Sequence, residues 1–183
     1  MVLTGKEYQR IAQASFSADA ILTTEYATDS IFKGVEFLIQ KNFTIAASGT
    51  LLILIDFTTY TGIDRTVVIK PASYCTTYGP VLVNIYRGTD YSGGTQIYAY
   101  NLNTKVGGTS KTTLTSGPTG SVKGTVTQEF VVGYGSTNQS SGGGSMKTDT
   151  LIVRDNKTKT LIEVINNSGT EITFNFLQEF FEI

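Results

Sequence analysis

The sequence predicts an all-β fold, a two-sheet antiparallel sandwich, and three observations carry that prediction. Thr, Ser, Gly and Asn are abundant and ten Tyr and ten Phe are present, a composition that suits pleated, half-buried strands better than helices. Short apolar stretches alternate between two faces, most strictly at Ile172, Phe174 and Phe176. Turn residues recur at roughly ten-residue intervals, the rhythm of short strands. The length, 183 residues, fits one such domain better than two.

Residues 1–30 stand apart. Glu7, Tyr8, Ile11 and Ala12 have helical spacing, and a polar stretch through Ser15, Ser17 and Asp19 follows. This segment reads as an N-terminal arm, either a short helix capping the sandwich or an extension that docks on a neighbour. The sandwich domain is expected over residues 31–183. Lys41 to Ala47 alternates with Phe43 and Ile45 on one face; Ser48-Gly49 then turns into Thr50 to Phe57, an apolar run suited to a central strand. Thr66 to Lys70 stops at Pro71. Val81 to Tyr86, with Val81, Val83 and Ile85 inward, and Thr95 to Asn101 are spaced as a hairpin around Ser92-Gly93-Gly94. A loop is expected from Thr104 to Gly120, a strand from Gly124 to Tyr134, and a second loop from Gly135 to Ser145. Three strands close the chain: Thr150 to Val153, Thr160 to Ile165, and the run from Ile172 that follows Asn167-Ser168-Gly169. Eight or more short strands fit a jelly-roll-type sandwich better than a ligand-mouthed barrel, and no fixed-period repeat points to a propeller or solenoid.

A formal charge of −1 with scattered Lys and Arg gives no basis for a nucleic-acid or anionic-membrane partner. With no histidine and a single cysteine, Cys75, the chain has no Ser-His-Asp or Cys-His catalytic set, no intrachain disulfide and no structural zinc site; no cofactor is expected. The run Leu51 to Ile55 is too short to cross a bilayer, and the first residues lack an export signal, so the sequons at Asn42, Asn138 and Asn156 are expected to stay unmodified. A paired-carboxylate glycosidase would draw on Asp56, Glu129, Glu163 and Glu171, yet Glu163 between Ile162 and Val164 has the pattern of a solvent-facing strand position. Calcium at Asp64, Asp90 or Asp149 lacks the Asp-x-Asp-x-Asp spacing. Gly107 to Thr113 is glycine-rich with Lys111, but lacks the glycine before the lysine that a phosphate loop needs. Cys75 beside Tyr74 reads as a small hydrophobe. Tyr86, Tyr91, Tyr98 and Tyr100 gather around one hairpin, where sheet packing is the simpler reading and a sugar-stacking platform the other.

A succession of short motifs adds to this. Ile85-Tyr86-Arg87-Gly88-Thr89 is followed by Gly94-Thr95 and Tyr100-Asn101-Leu102-Asn103, then by Gly133-Tyr134-Gly135 and Gly142-Gly143-Gly144. Thr150 to Val153, Leu161 to Ser168 and Phe174 to Glu182 complete it. From about residue 34 to the end, the chain resembles tailed-bacteriophage virion structural proteins of the jelly-roll capsid decoration or cement type, departing from the pattern at Leu102 and in a missing final Arg. The resemblance implies a non-enzymatic protein that binds the outer capsid surface as a homo-oligomer, dimer or trimer, and strengthens joints between subunits of the major capsid protein. Its place would be the virion, after synthesis in the host cytoplasm. Candidate interface residues are Tyr8 and Ile11 in the arm and Phe180 and Phe181; because neighbours on a strand point to opposite sides, one of these two phenylalanines is expected outside the core. The alternative is a carbohydrate- or receptor-binding module of a phage tail component, which predicts an exposed aromatic strip.

Overall fold

The structure, a computed structural model, describes residues 35–58, 66–69, 73–76, 79–105, 108–133, 143–145, 152–155 and 158–182. The expected arm, with Tyr8 and Ile11, lies outside them. The described strands are β1 (Glu36–Ile45), β2 (Thr50–Asp56), β3 (Thr66–Ile69), β4 (Ser73–Thr76), β5 (Val81–Arg87), β6 (Thr95–Ile97), β7 (Tyr100–Asn101), β8 (Thr113–Ser116), β9 (Thr125–Val132), β10 (Gly143–Ser145), β11 (Ile152–Asp155), β12 (Lys159–Asn166) and β13 (Ile172–Glu182). They form two antiparallel sheets packed face to face. One runs β10-β4-β13-β1-β7, with β3 pairing the far half of β13 and β11 pairing β3; the other runs β6-β8-β2-β12-β5-β9. Within them, β10-β4-β13-β1 and β9-β5-β12-β2 follow a jelly-roll-like order, first strand against last and second against second-to-last.

Period-two patterning decides which side chains meet between the sheets. Phe37, Ile39, Phe43 and Ile45 of β1 and Ile172, Phe174, Phe176 and Phe180 of β13 face Ile53, Ile55, Val83, Ile85, Ile162 and Val164 across the sandwich. Each such aliphatic or aromatic side chain contributes about 1.5–3 kcal/mol on burial. Phe37 and Phe180 are cross-strand neighbours whose rings stack at 5.6 Å, and Tyr74 of β4 stacks on Phe174 at 5.7 Å.

Several expectations need correction. Val81–Arg87 and Thr95–Ile97 do not form a hairpin: β5 lies between β12 and β9, while β6 sits at the opposite edge of the same sheet. The expected loops at 104–120 and 135–145 contain β8 and β10, and β4 was not anticipated. These strands are three or four residues long, so too few alternations accumulate to register as a pattern. The Ser48-Gly49 and Asn167-Ser168-Gly169 turns are arches that carry the chain from one sheet to the other, since β1 and β13 share one sheet and β2 and β12 the other.

Both arches are tied by Asn166, which is buried. Its Nδ2 donates to the carbonyls of Ala46 and Thr170 at 2.9 and 2.8 Å, and its Oδ1 accepts from Ser168 N at 2.9 Å. Ser48 N reaches Ser168 O at 3.1 Å to complete the link. The Asn-Asn-Ser motif therefore serves a sandwich corner whose backbone groups would otherwise be orphaned.

The connection between β5 and β9 is an insertion that adds β6 and β8 to one sheet and β7 to the other. Asp90 pinches its base: Oδ1 accepts from Ser121 N and Val122 N at 3.0 and 2.9 Å, and Oδ2 from Ser121 Oγ at 2.6 Å. Those bonds, the Ser121 hydroxyl first, hold the Asp90 carboxyl below its ordinary range. At its far end, the insertion is held by Glu182. This buried carboxylate accepts from Ser110 Oγ at 2.8 Å, Lys111 N at 2.9 Å and Thr112 N at 2.6 Å. Glu182→Ala strands these donors, so a loss of about 2–3 kcal/mol in urea unfolding is expected, together with faster amide exchange at Lys111 and Thr112. Unchanged exchange at those two amides would refute the clamp.

Candidate binding surface

A continuous alternation runs through Thr95–Leu102. Ile97 is buried and Ala99 packs against the core, while Gln96, Tyr98, Tyr100 and Leu102 take the outward positions. The segment begins as β6, at the edge of one sheet, and ends as β7, paired with Leu38 and Phe37 at the edge of the other. It is thus a ribbon turning around one side of the sandwich, and its outward side chains fan around that corner. Tyr98 is 69% exposed and Tyr100 64%, the two most exposed aromatic rings among the described residues. The ribbon carries no charge and no proline, the devices that usually guard a sheet edge.

Beside it lies a pocket of about 290 Å³ on the outer face of the β6-β8-β2 sheet, lined by Leu54, Asp56, Gln96, Thr113 and the Gly93-Gly94 turn. Gly94, at φ +94°, lies against β8 so closely that a Cβ there would sit 2.5 Å from Ser116 O. Asp56 Oδ2 lies 3.3 Å from Lys159 Nζ, and Oδ1 accepts from Thr58 N at 2.9 Å.

Farther along the same outer face sits a buried polar cluster. Glu163 is 5% exposed and accepts hydrogen bonds from Lys123 Nζ, from Tyr86 OH at 2.8 Å and from Asn84 Nδ2 at 3.2 Å. Lys123 also lies 5.7 Å from the Tyr86 ring centroid. Glu163 is therefore not the solvent-facing residue its neighbours in sequence suggested; the insertion folds back over β12 and brings Lys123 onto it. Burial alone would push its carboxyl up, but the three hydrogen bonds and the Lys123 charge outweigh burial and hold it below the ordinary range. The same carboxylate raises the Lys123 ammonium.

Searched against protein-family models, curated proteins and solved structures, the chain finds no match. The placement of each expected residue is then the guide. Phe180 is in the core and Phe181 falls outside the core cluster, on the face that alternation assigns it, but the two are only 2% and 1% exposed. Neither presents an exposed ring. Of the tyrosine group, Tyr86 is buried against Glu163, Tyr91 packs over Gly120, and only Tyr98 and Tyr100 are free on the surface. Sheet packing explains half of that group and not the other half. The four carboxylates weighed for glycoside chemistry are dispersed: Asp56 pairs with Lys159, Glu163 with Lys123, Glu129 lies exposed on β9, and Glu171 is exposed at the corner before β13. Asp90 is consumed by the insertion, and Asp64 and Asp149 lie outside the described residues. Among the described residues no three His, Cys, Asp or Glu gather as a metal site. The signal that marks the ribbon in the sequence is the uncharged Thr-Gln-Ile-Tyr-Ala-Tyr-Asn-Leu alternation.

Proposed function

We propose that the chain is a non-enzymatic virion structural protein, a capsid decoration or cement protein that binds the outer capsid surface and strengthens joints between major capsid subunits. The observation that carries this reading is the unguarded ribbon Thr95–Leu102, which offers Tyr98, Tyr100 and Leu102 to a partner from a rigid sandwich edge. The motif succession and the jelly-roll-like strand order support it, and the ion pairs Asp56–Lys159 and Glu163–Lys123 give those two carboxylates structural work. A homo-oligomer, dimer or trimer, places several such edges on the capsid at once and multiplies weak contacts by avidity.

Co-sedimentation with assembled, undecorated phage capsids tests it, with light scattering for the free protein's oligomeric state. Saturable binding is expected, and Tyr98→Ser with Tyr100→Ser is expected to weaken it at least about tenfold, the loss typical of central interface tyrosines. Absence of binding by the folded protein would reject the capsid role.

Exposure of Tyr98 and Tyr100 also favours a second reading, a carbohydrate- or receptor-binding module of a phage tail component, because aromatic rings presented from a rigid strand suit stacking on a sugar face.

A further inference from the structure

We propose that the pocket between β2, β6 and β8 binds a single neutral sugar residue, with Tyr98 as its aromatic flank; this rests on the second reading and gives it a place. Its volume, about 290 Å³, lies at the small end of ligand pockets and suits a monosaccharide unit or chain terminus rather than an extended oligosaccharide. Leu54 gives an apolar floor, and the rim offers the uncharged hydrogen-bonding groups of Gln96 and Thr113. The one charged lining residue, Asp56, is already compensated by Lys159, so the site favours neither an anion nor a cation. Thr115, also at the pocket, keeps a buried Oγ1 without a hydrogen-bond partner, a deficit that a sugar hydroxyl fills after a rotamer change. Tyr98 follows Gln96, a lining residue, by two positions on the outward side of the ribbon, so it stands next along that side beyond the pocket rim. An apolar floor, uncharged polar rim and exposed aromatic edge match the mixed C–H and O–H surface of a pyranose.

The full chain is titrated with the methyl glycosides of glucose, galactose, mannose and N-acetylglucosamine while amide shifts are followed by NMR, and in parallel is applied to an array of bacterial surface glycans. Saturable shifts at Gly93, Gly94, Gln96 and Thr113 are expected for at least one glycoside. Gln96→Ala and Tyr98→Ala, both at exposed positions, are each expected to weaken binding about fivefold to tenfold with the unfolding midpoint unchanged. Array binding with shifts elsewhere, or unaltered in both variants, overturns the pocket while leaving the glycan reading intact. A blank array with no saturable shift removes both.

Discussion

Lys123→Met is expected to lower folding stability by about 2–3 kcal/mol at pH 7. Removing one member of a buried ion pair typically costs about 3–5 kcal/mol, because the other charge is left without compensation. The lower figure applies here since the Lys123 side chain is 42% exposed and water screens part of the interaction. The pH dependence distinguishes charge from packing. In the native protein the Glu163 carboxyl sits below its unfolded pKa, so the network's contribution is fully present above roughly pH 4.5 and is lost as pH falls through the folded value. In Lys123→Met, burial acts with less opposition because only the Tyr86 and Asn84 hydrogen bonds remain, so the folded pKa rises and less stability is lost toward acid. Urea titrations at pH 7 and pH 4 should therefore show the gap between the two proteins narrowing at the lower pH. A gap of equal size would mean that Lys123 works through its contact with the Tyr86 ring alone. Adding Glu163→Gln to the variant should recover part of the loss.

Phe176→Ala should cost about 4 kcal/mol, the largest effect anticipated for a single side chain. Phe176 is fully buried, lies 5.9 Å from the Tyr74 ring, and sits in β13 where that strand is paired on both sides, against Lys41 and Tyr74. A phenylalanine deleted from such a site takes its transfer free energy with it and leaves a cavity that the paired backbone cannot close. Set against a typical domain stability of about 5–15 kcal/mol, the variant becomes marginal at 37 °C. Leu177→Ala, one residue on and only half-buried on the opposite face, is the control and should lose less than half as much. Equal losses in thermal unfolding would contradict the assignment of the two faces.

What the sequence made legible follows from how many alternations each element supplies. β2, β5, β12 and β13 run seven to eleven residues, so their period-two pattern stands out and the sandwich with it. β4, β8 and β10 are set by what they pair with, and a pairing partner far along the chain leaves no local trace. The same limit hid the Glu163 cluster: its polarity pattern within β12 is that of an exposed position, and only the return of the insertion covers it. The stretch from Gly108 to Thr113 is instructive in another way. Its glycine and hydroxyl content does mark an anion cradle, in which the N–H groups of Lys111 and Thr112 converge, but the anion is the chain's own Glu182. Tyr98 and Tyr100 were visible as residues, yet their exposure depends on the ribbon leaving one sheet for the other.

The pairing of β1 with β13 along its whole length has a consequence for how the molecule comes into being. During synthesis β1, the first of the described strands, emerges well before β13, and its place beside that strand stays empty until residues 172–182 have been made. A topology closed by its most distant segments folds slowly, on the millisecond-to-second scale typical of non-local β proteins, and holds the apolar face of β1 open meanwhile. Loss of the last eleven-residue strand would remove the centre of a sheet rather than trim an edge. A chain cut short before β13 therefore leaves both β1 and β4 without the strand they share.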